Sequence, residues 1–360
     1  MTHKTKTSLA LAALGLLPAA ACAQSSVTLY GTVDLGTRWV RNENVGSIRS
    51  LSSGNNSTSR IGFRGREDLG GGLYAAFNLE SGIAADTGSS VSATQFFDRA
   101  AHVSLGGRTL GEVRLGRDYV PTYTNWVRFD PFSNVGVAGE GNLISATPLG
   151  PIRSAFGANQ NTLVRSNNSL QYILPSDIGG IEGSVMVAAG EGGTAANGQH
   201  KLVSGRLGYA KGPVVISAAT AWTENNLTGG ERFKDDIVGG SYVVGPARLG
   251  AVWRRFRFGD LKETHALASA TIAVGAGQIK LSYQRVRFDG RVGTVDLSPN
   301  GGSQIGVGYV YSLSKQTALY ATVSRVSNRG TSTFVVPGGP AGLPAGGTST
   351  GAEAGLRMSF

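Results

Sequence analysis

The stretch GAEAGLRMSF (Gly351–Phe360) places Ala352, Ala354, Leu356, Met358 and Phe360 at one parity, and Gly351, Glu353, Gly355, Arg357 and Ser359 at the other. A strand sends successive side chains to opposite faces, so this segment reads as a strand with an apolar face backed by a small, charged one. The alternation runs to the last residue, where chains are more often polar and frayed. The same grammar opens the chain. In VTLYGTVDLGTRWV (Val27–Val40), Val27, Leu29, Val33, Leu35 and Trp39 share a face, opposed by Thr28, Tyr30, Thr32, Asp34 and Arg38. SRIGFRGRE follows with Ile61 and Phe63 against Arg60, Arg64 and Arg66.

Sixteen such segments are predicted, beginning near residues 27, 57, 72, 96, 111, 163, 180, 202, 213, 236, 247, 264, 278, 303, 317 and 351. No long segment has helical periodicity. Short connections (EDLGGG, GGRTLG, PSDIGG, AKGP, VVGPA, VGAGQ, SLSKQT) alternate with longer ones at 41–56, 82–95, 120–162, 190–200, 223–235, 258–263, 289–302 and 327–350. Turns at one end and loops at the other describe an up-and-down antiparallel sheet.

The N-terminus sets the compartment. Lys4 and Lys6 precede an apolar run, Leu9–Leu17, and then PAAACAQ. This is the form of a secretory signal peptide spanning 1–23, with Ala21 and Ala23 before a cut ahead of Gln24; residues 24–360 then form the barrel domain. A lipid-modified Cys22 is the weaker alternative, because Ala19 stands where a larger aliphatic is usual. The sole cysteine, Cys22, would leave with the leader, which excludes a disulfide-stapled module and thiolate metal sites. No metal and no cofactor are expected. Loss of the two lysines takes the formal net charge from +10 to about +8. An exported chain rarely meets nucleic acid, so no nucleic-acid partner is expected.

With no run of apolar residues long enough for a membrane helix, an apolar-out, polar-in closed sheet is the remaining way across a bilayer. A sandwich would hide its apolar faces, and a sixteen-strand meander fits one poorly. The fold class is therefore all-β: a transmembrane antiparallel up-and-down barrel of the outer-membrane kind, wide enough for an aqueous lumen. Aromatics near strand ends (Tyr30, Trp39, Tyr172, Trp222, Trp253, Tyr283, Tyr309, Tyr311, Phe360) read equally as interface girdles or as ordinary packing.

VTLYGTVD, SRIGFRGREDLGGGLYAAFNLESG, LGRDYVPTY, the DPF of Asp130–Phe132, YSLSKQTALYA and the terminal Phe360 together resemble the general diffusion porins of Gram-negative bacteria across essentially the whole mature chain. The resemblance implies a water-filled outer-membrane channel for passive diffusion of ions and small hydrophilic solutes. It implies a homotrimer in outer-membrane lipid and lipopolysaccharide, inserted by the barrel assembly machinery with Phe360 as an assembly signal. It also implies that the third external loop, 120–162, folds into the lumen and carries Asp130 and Glu140 to a constriction. Facing it would stand wall arginines corresponding to Arg60, Arg117 and Arg165. Arg38 takes the place of a first-strand lysine absent at Thr32, and Arg64 joins the wall set.

By parity, the lumen bases are Arg38, Arg60, Arg64, Arg66, Arg114, Arg165, Arg206, Arg254, Lys280 and Arg357; the acids are Asp34, Glu80, Asp98, Glu112, Glu182 and Glu353. The excess of bases argues for anion preference and small anionic or neutral solutes. Arg117 shares parity with the outward Val113 and Leu115, so only a bulge near Gly116 would bring it inward. H-E-x-x-H, C-x-x-C and G-K signatures do not occur, and no enzymatic role is expected. The rival readings are a substrate-specific channel of the same fold, a barrel enzyme and an adhesin.

Overall fold

The computed structural model describes residues 26–144, 150–157, 162–190, 200–225 and 228–360. The proposed leader, 1–23, lies outside the described residues, as do parts of the segment 120–162. The chain forms a closed barrel of sixteen antiparallel strands. These are β1 Ser26–Asn42, β2 Arg60–Gly70, β3 Leu73–Ala84, β4 Ala100–Gly107, β5 Gly111–Tyr119, β6 Arg165–Ile173, β7 Ile181–Ala188 and β8 Lys201–Lys211. They continue with β9 Val214–Glu224, β10 Phe233–Val244, β11 Ala247–Phe258, β12 Leu261–Val274, β13 Gly277–Asp289, β14 Gly301–Ser312, β15 Thr317–Arg329 and β16 Thr348–Ser359. Each strand pairs with the next in sequence, and β16 closes on β1 from Thr32↔Ser359 to Asn42↔Ser349. Closure leaves no unpaired edge, which a hydrocarbon environment requires.

Closure is completed by the last residue. Phe360 and Gly31 exchange both backbone bonds, at 3.1 and 3.0 Å. The Phe360 ring lies over Gly31, where a Cβ would meet it at 2.5 Å, so only glycine accepts the ring there.

The pleat sorts the side chains as the alternation predicts. Val27, Leu29, Val33, Leu356, Met358 and Phe360 are exposed on the outside, as are Trp222, Trp253, Tyr283, Tyr309 and Tyr311. Tyr30 departs from the girdle set: it turns inward, donating to Asn78 Oδ1 at 2.7 Å and Glu80 Oε2 at 3.0 Å.

Two connections differ from the expected alternation of short and long. Residues 41–56 do not form a long loop: β1 turns tightly at 43–45 into a strand Gly46–Ser53 that pairs with its upper half. A six-residue break then precedes β2, which pairs with the lower half. The break is shaped by Asp34, whose carboxylate accepts from the backbone of Asn56 at 2.9 Å and Ser57 at 2.7 Å. Likewise β11 reaches β12 through Gly259–Asp260 alone, with Gly259 at φ 54°. In both places alternation continues through residues that sequence grouped as loop, and hydrogen-bonded pairing extends the barrel wall upward.

Candidate functional site: the lumen and its eyelet

The segment after β5 runs into the barrel. Val120 bonds back to Val164 at 3.0 Å, and Pro121 then starts a short helix, α1 (Pro121–Val127), with its fixed φ suited to a first turn. Trp126, Phe129 and Phe132 are buried against the inner wall. Burying each contributes about 2 kcal/mol. The wall is smooth where they land: a Cβ at Gly239 would sit 2.7 Å from the Phe129 ring, and one at Gly308 would sit 2.9 Å from Phe132. A second helix, α2 (Pro151–Phe156), lays Phe156 against Phe233 at 4.8 Å between ring centroids. The external segment after β15 also turns inward, joining Phe334 and Val336 to Val137 of the loop and Val40 of the wall in one apolar cluster.

Opposite the loop, a cavity of about 650 Å³ remains open, lined by Arg60, Glu80, Arg99, Tyr119 and Arg165 of the wall and by Tyr123, Thr124, Val127, Ser133, Asn134 and Val135 of the loop. Glu80 accepts from Arg99 Nε at 2.6 Å and pairs with Arg60 Nε at 3.4 Å. The Tyr119 hydroxyl links Arg99 to a third guanidinium, accepting from Arg99 at 2.8 Å and from Arg165 at 3.0 Å. Arg165 also lies over the Tyr119 ring at 4.6 Å. Tyr119 in turn stacks on Tyr123 of the loop at 5.4 Å. Three guanidiniums thus line the cavity with one carboxylate: Arg60 and Arg99 share Glu80, and Arg165 has no carboxylate of its own among the described residues. An excess positive field in a narrow aqueous passage concentrates anions there.

The other expected wall residues lie elsewhere. Arg38 sits above the eyelet, bonded to Glu353 at 3.1 Å and to Asn55 at 2.5 Å. Arg64 lies toward the short-turn end, over the Tyr30 ring at 5.1 Å. Arg117 stands at the irregularity between Gly116 and Asp118, as the glycine suggested, with Gly116 at φ 134°. It is spent within the wall, donating to the Asp98 carbonyl at 2.7 Å and to Asn167 at 2.5 Å. The bulge instead turns Tyr119 into the cavity.

The loop acids do not face the eyelet, contrary to the expectation for Asp130 and Glu140. Asp130 builds the loop's turn, accepting from the backbone of Phe132 at 2.8 Å and Asn134 at 2.6 Å. Burial pushes its carboxyl up to about 6. Glu140 is 1% exposed, with neither oxygen hydrogen-bonded; burial and the adjacent Asp130 raise it well above the usual carboxylate range. Behind the loop, Arg254 is fully buried and paired twice with Asp235, at 2.8 and 2.7 Å.

Arg99 escaped sequence reasoning. Its odd number shares parity with the lipid-facing Val103 and Leu105, but β4 begins only at Ala100, so strand parity does not govern it. The missed signal was its place directly before the strand, next to Asp98. GTSTG (Gly347–Gly351) also fits the spacing of a hydrolase nucleophile turn. Here it lies at the start of β16, and Ser349 is buried with its Oγ accepting from the Val336 backbone at 3.0 Å.

A lipid-facing barrel around a polar lumen, narrowed by an inward loop, defines a membrane diffusion channel. The chain belongs to the Gram-negative porin family, whose description matches residues 10–331. It is 35% identical to outer membrane porin protein 32 of Delftia acidovorans, across 97% of this chain and 99% of the relative. It is 28% identical to an outer membrane porin of Bordetella pertussis, across 90% and 94%. Among solved structures it is similar to the anion-selective porin from Comamonas acidovorans: TM-score 0.77, 33% identity, 94% of this chain and 100% of that one. The trimer form of OmpT from Vibrio cholerae shares the fold at 14% identity, with a TM-score of 0.62 across 93% and 99% of the two chains. The protein is an outer-membrane porin that forms a channel.

Proposed function

We propose that the channel conducts anions in preference to cations and that Arg60, Arg99 and Arg165 set the preference. The observation that carries this is the eyelet's three guanidiniums against one carboxylate, with Arg165 uncompensated. A relative 33% identical is described as an anion-selective porin, which supports the same reading. The solutes are small anions and neutral hydrophilic molecules crossing by passive diffusion, without catalysis. Arg38, Arg64 and Arg117 act at a distance, through the field and through wall hydrogen bonds. Asp130 and Glu140 shape the loop.

The reading extends to assembly. Residues 1–23 are removed on export. The exposed apolar belt sits in lipid and lipopolysaccharide, and three copies associate. Phe360 serves as the mark recognised by the assembly machinery; Phe360→Ala should lower the amount of folded porin in the membrane and leave single-channel conductance unaltered. The test of function is current through purified protein in a planar bilayer under a KCl gradient. Large ohmic steps with a chloride-favouring reversal potential are expected; a potassium-favouring potential would overturn the charge argument.

A further inference from the structure

Below the loop, toward the short-turn end, the lumen holds a second cavity of about 510 Å³. Outer-membrane barrels place short turns on the periplasmic side, so this is the periplasmic vestibule. Its wall is formed by Arg248, Thr271, Lys280, Ser241, Ser269 and Gln278, with the loop's underside above. Three of these make one row of the ladder: Arg248 faces Thr271, and Thr271 faces Lys280. Adjacent strands are about 4.8 Å apart, so the two cationic side chains leave the wall roughly 10 Å apart, with a hydroxyl between them.

Neither cation has a hydrogen bond or ion pair to a side chain among the described residues. Lys280 is 8% exposed, and its contact is the Phe132 ring at 5.8 Å. A buried ammonium without a direct hydrogen-bonding partner is costly and favours an anion that reaches it. The loop's Asp130 also lines the cavity and offsets part of the Lys280 charge through space, without an ion-pair contact to it. Arg128 is paired with Glu182, and the Asp130 oxygens are taken by the backbone amides of Phe132 and Asn134. The rest of the lining is neutral: among the described residues Ser241, Thr271 and Gln278 have no side-chain hydrogen bond, and Ser269 donates to the Phe129 carbonyl at 2.8 Å.

We propose that this vestibule is a binding site for phosphomonoesters of small polyols. The phosphate lies between Arg248 and Lys280, and the polyol hydroxyls meet Ser241, Ser269, Thr271 and Gln278. A dianion matches two cations that line one cavity, and tetrahedral oxygens suit separated donors. The cavity lies within the size range of small-molecule sites and exceeds what a bare inorganic ion fills. The proposal deepens the anion-preferring reading and rests on it. It adds a saturable step on the periplasmic side of the eyelet, where a solute would dwell during passage.

The experiment is block of the single-channel chloride current by glucose 6-phosphate added to each side in turn, with inorganic phosphate and glucose as comparisons. Glucose 6-phosphate is expected to block from one side with saturation, inorganic phosphate to need several-fold more, and glucose to do nothing. Lys280→Met and Arg248→Gln should each raise the half-blocking concentration about tenfold, and Lys280→Arg should restore it. The conductance step of each variant reports that its barrel is folded. Unchanged block in both variants overturns the site, and equal potency of phosphate and glucose 6-phosphate overturns the polyol assignment. Reversal potentials from the same membranes separate the two readings: a chloride-preferring channel without block removes this site alone, whereas a potassium-preferring channel removes the reading beneath it.

Discussion

Arg165→Gln isolates the eyelet field. Arg60 and Arg99 share Glu80, so removing either also frees a carboxylate, whereas Arg165 is held by the Tyr119 hydroxyl and ring. An ion passing about 5 Å from the guanidinium feels about 0.8 kcal/mol in water. At 0.1 M salt the screening length is about 10 Å, which leaves about 0.5 kcal/mol. The anion loses that stabilisation while the cation loses an equal penalty, so their ratio moves by about 1 kcal/mol, or about fivefold. At 1 M the screening length is about 3 Å and the change falls below about twofold. The assay is the reversal potential of single channels under a KCl gradient, repeated at low and high mean salt. The variant should lose chloride preference by about fivefold at low salt and barely at high salt. A shift of equal size at both salts, or none, would refute a through-space field as the source of selectivity. Glu80→Gln is the control of opposite sign and should raise chloride preference.

Three other outcomes test the frame around the eyelet. Burial raises the Asp130 carboxyl from its ordinary 3.8 to about 6, so in that window the docked loop keeps a proton the unfolded chain has released. Its contribution to docking is therefore full below about pH 4 and lost as pH rises through about 6. Protonation also removes a negative charge beside Lys280, so chloride preference should rise as pH falls through about 6; a flat titration in the wild type would contradict this, and Asp130→Asn should lose the step near 6. Gly308→Leu puts a side chain where Phe132 lies, at an overpacking cost of about 1–3 kcal/mol, and should loosen the loop, seen as noisier current and faster proteolytic nicking between residues 120 and 144. Asp235→Asn leaves Arg254 buried with a broken pair and should cost about 3–5 kcal/mol, read as a lower denaturant midpoint; an unchanged midpoint would mean that water reaches Arg254.

The barrel was legible because its information is local. Parity in Val27–Val40 and in Gly351–Phe360 names the face of each residue without reference to any partner. Reading failed where the chain leaves the strand. Arg99 lies one residue before β4, so its direction is set by the turn and by Glu80. Asp130 and Glu140 were rightly placed on an inward loop, but sequence does not say which side of a loop meets water. Their direction depends on backbone amides at 132 and 134 that turn the Asp130 carboxylate inward. Arg117 shows both limits: Gly116 advertised a bulge, yet which neighbour would gain the lumen was decided by Asp98, just before β4, and Asn167 of β6.

The glycine content of the lumen wall has a mechanical consequence for the channel. Polar lumen positions carry arginine and glutamate on the side of β2, β3 and β6, where the eyelet stays open. On the far side, Gly239, Gly306 and Gly308 leave the wall bare, and the rings of Phe129 and Phe132 sit in the space. Side chains there would push the loop toward the arginines and narrow the passage. Glycine therefore sets the distance between loop and arginine wall, while arginine sets the sign of the field across it. The two functions lie on opposite arcs of one sheet, so the arcs can be altered separately. Enlarging the glycine arc should change conductance more than ion preference, and neutralising the arginine arc should do the reverse. A pair of variants, Gly308→Leu and Arg165→Gln, measured for both quantities, tests that division; a double variant whose two effects fail to add would show that the loop and the arginine wall move as one body.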